Sequence, residues 1–129
     1  MRVLVTGASG YIGGAVSRCL RTRGYSVVGL ARSDDSARRL ESIGLVAHRG
    51  DLSEPETLAP VAKEADAVVH TAMSWGAQAG AMDARAVDTL VEAMAGSGKP
   101  LIYTSGIWVM GDTGGRPVTE DDPVNPPEL

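Results

Sequence analysis

Met1-Arg-Val-Leu-Val-Thr6-Gly7-Ala-Ser-Gly10-Tyr-Ile-Gly13, with Gly14 directly after it, is the stretch whose reading decides the fold. Its first six residues form a short apolar run ending in a glycine cluster, the pattern of a strand covered on both faces. Helical spacing follows over residues 11–23, with Ile12, Val16, Cys19 and Leu20 on one face and Gly24 where a helix stops. Strand, glycine turn and helix in that order give each glycine a task. Gly7 permits a tight turn, Gly10 leaves room for an anion to reach the backbone, and Gly13 lets the helix pack closely on the strand. Free N–H groups and the helix dipole then face a pyrophosphate. Thr6, Gly7, Ser9, Gly10, Tyr11, Ile12 and Gly13 are the candidate contacts of this turn. A P-loop is excluded, because no Gly-Lys-Ser/Thr ends the run.

Outward from that turn, strands and helical patterns alternate. Residues 25–31 read as a second buried strand. Ser33 or Asp34 can cap a helix carrying Ala37, Leu40 and Ile43, closed by Gly44. Residues 45–48 read as a third strand. Ser53-Glu-Pro-Glu56 has the form of a capping box, and Pro60 should kink or shorten the helix it opens. Residues 67–70 form a fourth strand. A helix over 80–95 places Ala84, Val87, Leu90, Val91 and Met94 on one face. Residues 101–104 give a fifth strand. This alternation predicts an α/β fold: a doubly wound parallel sheet in three α/β/α layers. The expected strand order is 3-2-1-4-5, with a ligand crevice between strands 1 and 4.

Composition narrows the function classes. The 129 residues are 43% hydrophobic and 22% charged, as in an ordinary folded domain. The net charge of −4 argues against a nucleic-acid binder that relies on a basic surface. No apolar run is long enough to cross a membrane, and no signal-peptide pattern precedes the first strand. Cys19 is the only cysteine, and with His48 and His70 it cannot build a metal cluster; a reduced cytoplasm is the expected location. Both histidines sit at strand ends and read as structural, and Cys19 reads as part of the buried face of the first helix. Residues 1–116 balance in charge, whereas 117–129 carry Glu120, Asp121, Asp122 and Glu128, no basic residue and four of the seven prolines. A domain over 1–116 followed by an acidic, proline-rich tail over 117–129 is expected.

The end of the second strand addresses cofactor choice. A site selective for NAD places a carboxylate there to accept from the ribose 2′-OH. Here the run is Gly29-Leu-Ala31-Arg32-Ser33. A guanidinium suits a 2′-phosphate that a carboxylate would repel. NADP is therefore favoured over NAD, with Arg32 as the contact and Ser33 and Arg38 as helpers.

These motifs together resemble the N-terminal part of the short-chain dehydrogenase/reductase superfamily, in its extended and atypical branch of epimerases, dehydratases and reductases with a Rossmann fold. The likeness covers essentially the whole chain. Thr6-Gly7-x-x-Gly10-x-x-Gly13 matches the family's cofactor turn in full. Asp51-Leu52 resembles the Asp-hydrophobic pair that meets the adenine. His70-Thr71-Ala72 resembles the segment that lines the cofactor, with Met73, Trp75 and Met82 flanking the same crevice. Tyr103-Thr-Ser-Gly-Ile-Trp-Val-Met-Gly111 resembles the strand-5 segment, and Glu120-Asp-Asp-Pro-Val-Asn-Pro-Pro127 the loop before the family's catalytic tyrosine. The resemblance implies a dinucleotide and a small-molecule substrate as ligands.

Two departures bear on chemistry. The family's catalytic Ser/Thr position falls on Gly106, which has no hydroxyl; Thr104 or Ser105 serves only if the local backbone differs, and otherwise both cap the strand. No tyrosine is followed four residues on by a lysine, so the pair that moves a proton while the nicotinamide moves a hydride is missing. The expectation is a cofactor-binding half, inactive alone, whose tail leads to a C-terminal substrate subdomain missing from this chain. A non-catalytic NADP sensor is the alternative. A methyltransferase fits less well, because its cofactor has no pyrophosphate. An uncovered fifth strand predicts a homodimer through that edge, or a swap of the 107–129 tail.

Overall fold

The computed structural model describes residues 1–127, so Glu128 of the acidic tail lies outside the described residues. Five parallel strands form one sheet in the order β3-β2-β1-β4-β5. The strands are β1 (Arg2–Thr6), β2 (Ser26–Ala31), β3 (Val46–Arg49), β4 (Ala67–His70) and β5 (Leu101–Tyr103). Four helices connect them: α1 (Tyr11–Thr22), α2 (Asp34–Ser42), α3 (Leu58–Glu64) and α4 (Ala79–Met94). The doubly wound Rossmann arrangement is as the alternating pattern requires. Among the described residues, no helix is long and apolar enough to cross a membrane.

The period-2 alternation of the strands divides the core in two. Leu4, Val28, Leu30 and Val68 point to one face and pack with Leu58, Val61, Ala86, Leu90 and Met94 of α3 and α4. Val3, Val5, Val27, Ala31 and Val69 point to the other and pack with Leu40, Val16 and Leu20 of α2 and α1. The order reverses beside β1, so α1, which follows β1, and α4, which follows β4, lie on opposite faces. That splits the chain apart above the carboxyl ends of β1 and β4 and opens a crevice there.

Three local expectations are corrected. Cys19 is exposed, not buried. The buried face of α1 is Gly13, Gly14 and Ser17, small residues that bring the helix against the sheet and turn Cys19 toward solvent, where Arg23 contacts its sulfur. Ser53 does not cap α3: its N–H and hydroxyl both donate to Asp51 Oδ1, each at 2.8 Å, closing a local turn. Ser33 caps α2 as expected, in a capping box with Ser36 where each side chain accepts the other's backbone N–H. Finally, α4 buries Ala86, Leu90 and Met94, while Ala84 is exposed and Val91 is 52% exposed. The helix is rotated from the expected face because it meets α3 as well as the sheet and presents Asp83 to β4. Pro60 sits in the first turn of α3, and the helix is short, seven residues after a 3-10 turn at Pro55–Thr57.

The tail folds back on the body. Arg116 pairs with Asp122 at 2.8 Å, and the Asn125 N–H donates to the Val109 carbonyl at 2.9 Å. The Thr119 N–H and the Arg116 guanidinium hold the Asp122 carboxyl below its ordinary range.

Candidate functional site

The crevice above β1 and β4 is a cleft of about 570 Å³. Its floor is the β1–α1 turn. Gly7 has φ +69°, a left-handed conformation that strains a residue with a side chain. A Cβ there would also stand 2.8 Å from the Ala72 amide nitrogen. A Cβ on Gly13 would collide with the Gly7 carbonyl and stand 2.6 Å from the Thr71 hydroxyl. The turn is closed by Gly10 N–H donating to the Gly7 carbonyl at 2.8 Å. Gly10 caps α1 with no side-chain hydrogen bond, and the first turn of α1 holds no acidic residue. The opening amides of a 12-residue helix therefore face the cleft without a competing side-chain acceptor.

The wall at the end of β2 is basic and rich in hydroxyls. Arg32, Ser33, Ser36 and Arg39 line it. The two carboxylates that follow Ser33 are turned elsewhere: Asp35 pairs with Arg38 at 2.7 Å, and Asp34 lies 3.6 Å from Arg49. Asp51 is the one carboxylate on the cleft among the described residues, and Leu52 beside it is buried. The Ser53 backbone N–H lowers the Asp51 pKa; the Ser53 hydroxyl and the Arg32 charge act the same way, against partial burial. A carboxyl held low in the folded state stabilises the fold above its unfolded pKa and loses that contribution as pH falls through the folded one. Asp51→Asn is therefore expected to flatten part of the acid limb of stability. Urea midpoints measured from neutral pH down through the carboxylate range check this, and parallel curves for the two proteins would contradict it.

The third wall is the end of β4. Thr71, Ala72, Met73, Ser74 and Trp75 line it, with Met73 63% and Trp75 87% exposed. Beneath it lies a hydrogen-bonded group in which Thr6 and His70 are buried, Asp83 is half-buried and Tyr103 is exposed. Thr6 Oγ1 is 2.9 Å from His70 Nδ1, His70 Nε2 is 3.0 Å from Asp83 Oδ1, and the Tyr103 hydroxyl donates to Asp83 Oδ2 at 2.7 Å.

A family model described as the NAD dependent epimerase/dehydratase family matches residues 3–128. The chain belongs to this family. It is 42% identical over 112 residues to an uncharacterized protein of Saccharomyces cerevisiae, a match covering 82% of this chain and 38% of that one. It is 32% identical over 111 residues to the 2-alkyl-3-oxoalkanoate reductase of Stenotrophomonas maltophilia, covering 81% and 33% respectively. Among solved structures, it resembles a UDP-glucose-4-epimerase from Stenotrophomonas maltophila with bound NAD. That match has a TM-score of 0.80, 26% identity, and coverage of 97% of this chain and 43% of that one. The epimerase/dehydratase chain thus spans about two fifths of the length of the relatives it matches.

In this member of the family, the cleft brings together Gly7, Ser9, Gly10, Tyr11, Ile12, Gly13, Arg32, Ser33, Asp51, Leu52, Thr71, Ala72 and Met73. Thr6 lies under the floor, fully buried, and acts through its hydrogen bonds. Thr104 and Ser105 lie past β5, exposed and outside the cleft walls; the Thr104 N–H donates to the His70 carbonyl at 3.0 Å. Gly106 has φ −102°, and a methyl added there would meet open space, so neither backbone nor packing demands glycine. Sequence reasoning missed Arg39 and named Arg38, whose guanidinium points to Asp35 instead. The signal was present: with Ser33 as cap, Ser36 and Arg39 follow at intervals of three on one helical face. The Thr6–His70–Asp83–Tyr103 group was missed because its members lie far apart in sequence.

Proposed function

We propose that this chain is the nicotinamide-dinucleotide-binding domain, over residues 1–116, of a reductase-like or epimerase-like oxidoreductase, with NADP preferred. The observation that carries the reading is the pairing of two features in one cleft. Uncapped helix amides sit on its floor, and Arg32 and Arg39 stand at the end of β2 in no salt bridge among the described residues. The residues fit such a cofactor: a diphosphate meets the opening amides of α1, which no side chain caps, and a 2′-phosphate has guanidinium and hydroxyl donors. Asp51 and Leu52 take the adenine, and Thr71, Ala72 and Met73 face the remaining length. When bound, the nicotinamide supplies hydride transfer; the chain's own part is to hold and orient the dinucleotide. Calorimetric titration with NADPH and NADH tests this, with tighter binding of NADPH expected. Equal or reversed affinities would overturn the NADP preference.

A second reading, a non-catalytic NADP sensor, is favoured by Gly106, which stands where the family's catalytic hydroxyl falls. Thr104 and Ser105 are the hydroxyls this segment offers to an enzyme. In the enzyme reading, the substrate of the whole protein is a small molecule.

The β5 edge gives a further expectation. Ile102 and Tyr103 of β5 are 57% and 49% exposed, and Ile107 and Trp108 of the 3-10 turn after it are 74% and 72% exposed. Such an edge pairs readily with a second copy. Sedimentation of the 129-residue chain is expected to show a dimer, and a strict monomer at high concentration would contradict it.

A further inference from the structure

We propose that Asp83 is a positioning residue for the cleft: through His70 and Thr6 it fixes the Thr71–Ala72 backbone that forms the β4 wall. The proposal rests on the reading of the cleft as a dinucleotide site.

The strand register sets the row. Thr6 of β1 pairs with His70 of β4, and His70 with Tyr103 of β5, so the three side chains stand side by side on the α4 face. Thr6 is 0% and His70 1% exposed, which leaves their polar atoms dependent on one another. The roles within the row follow from counting protons. The amides of Thr71 and Ala72 both donate to Thr6 Oγ1, each at 3.2 Å. A hydroxyl has two lone pairs, and both are used. Its own proton then goes to His70 Nδ1 at 2.9 Å. The imidazole must accept there, so its proton sits on Nε2 and goes to Asp83 Oδ1 at 3.0 Å. A proton on Nδ1 instead would face an oxygen with no lone pair left. The ring of Tyr103 stacks on His70 with centroids 5.7 Å apart and planes 10° from parallel, and its hydroxyl donates to the other Asp83 oxygen. The bond to Asp83 raises the Tyr103 pKa, in keeping with a carboxylate acceptor.

The consequence reaches the cleft directly. The Ala72 amide is the atom that a side chain on Gly7 would strike, and the Thr71 hydroxyl is the one beside Gly13. Thr71 Oγ1 also donates to the Thr6 carbonyl at 2.7 Å. Any change in the Thr6 rotamer therefore moves the wall against the glycine turn. Without Asp83, a buried Nε2–H has no acceptor, and the imidazole is free to move its proton to Nδ1 and displace the Thr6 hydroxyl.

The test combines nitrogen NMR of the His70 ring, hydrogen exchange at Thr71 and Ala72, and NADPH affinity. The wild-type chain is expected to show the Nε2–H tautomer. Asp83→Leu is expected to lose it, to speed exchange at both amides about tenfold, and to weaken NADPH binding about tenfold, the usual scale for an orphaned buried donor. Asp83→Asn keeps a carbonyl acceptor and is expected to restore all three. Tyr103→Phe removes a contact to Asp83 without breaking the link to Thr6, and is expected to leave tautomer, exchange and affinity unchanged. Should Asp83→Leu not fold, His70→Phe keeps the stack, leaves the Thr6 proton without an acceptor and must expose the same two amides. A wild-type tautomer and unchanged exchange in Asp83→Leu, or full protection in His70→Phe, would overturn the proposal. If the wild-type chain takes up no dinucleotide, the cofactor reading falls, and the tautomer and exchange data still decide the relay.

Discussion

Gly13→Ala is expected to destabilise the domain by about 1–3 kcal/mol and to abolish dinucleotide binding, the usual cost of forcing a methyl into filled space. The added carbon would overlap the Gly7 carbonyl, a rigid backbone atom, and crowd the Thr71 hydroxyl. Neither can retreat cheaply. The Gly7 carbonyl accepts the Gly10 N–H that closes the turn, and Thr71 Oγ1 is tied to the Thr6 carbonyl. The collision can be relieved only by lifting α1 off the sheet, which pulls the helix amides away from where a diphosphate rests. Gly14→Ala is the control. Its methyl would lie 3.4 Å from the Ala8 carbonyl and 3.5 Å from the Arg18 guanidinium, ordinary contacts. With the same helix and the same chemical change, Gly14→Ala is expected to be neutral or to stabilise by up to about 1 kcal/mol. Urea denaturation of the two variants, with NADPH titration of each, checks the contrast. Equal stabilities would mean that α1 does not need its close approach.

Arg32→Asp is expected to reverse cofactor preference, with NADPH binding falling about tenfold or more, as loss of a charge-assisted phosphate contact implies. The sign follows from the local charges. In the wild type, Arg32 and Arg39 line this wall, while Asp34 and Asp35 are engaged with Arg49 and Arg38. A carboxylate at position 32 would meet a 2′-phosphate as a like charge and offer a 2′-hydroxyl an acceptor. It would also join Asp51, whose carboxyl the Arg32 charge now helps to keep ionised. NADH should therefore gain or hold its affinity while NADPH loses it. Arg39→Ala separates the two arginines: a loss of NADPH affinity there and none in Arg38→Ala would place the second donor on the face shared with Ser36. An unchanged preference in Arg32→Asp would remove Arg32 from the site.

The strand order and the cleft floor were legible because they rest on short-range signals. A run such as Val3-Leu-Val5 before Gly7 carries its period and its turn within a few residues. Faces of helices were less legible. In α1, the largest side chains suggested a buried stripe through Ile12 and Cys19, but Gly13, Gly14 and Ser17 took the sheet side because close packing there favours small residues over apolar ones. In α4, contact with α3 and the need to bring Asp83 to His70 turned the helix away from the face of Val87 and Val91. The capping box went to Ser33, whose partner Ser36 lacks the usual carboxylate, while Ser53 was claimed by Asp51 two residues away. The Thr6–His70–Tyr103 row was out of reach for a different reason. It depends on strand register across 97 positions of sequence, which no local pattern encodes.

Amide chemical-shift mapping of the folded chain with NADPH tests the diphosphate site most directly. The largest shifts should fall on the backbone N–H groups from Gly7 to Gly13, with a second set at Arg32, Ser33 and Ser36. Saturating NADPH that leaves the Gly7–Gly13 amides unmoved, or moves only residues beyond β5, would contradict it.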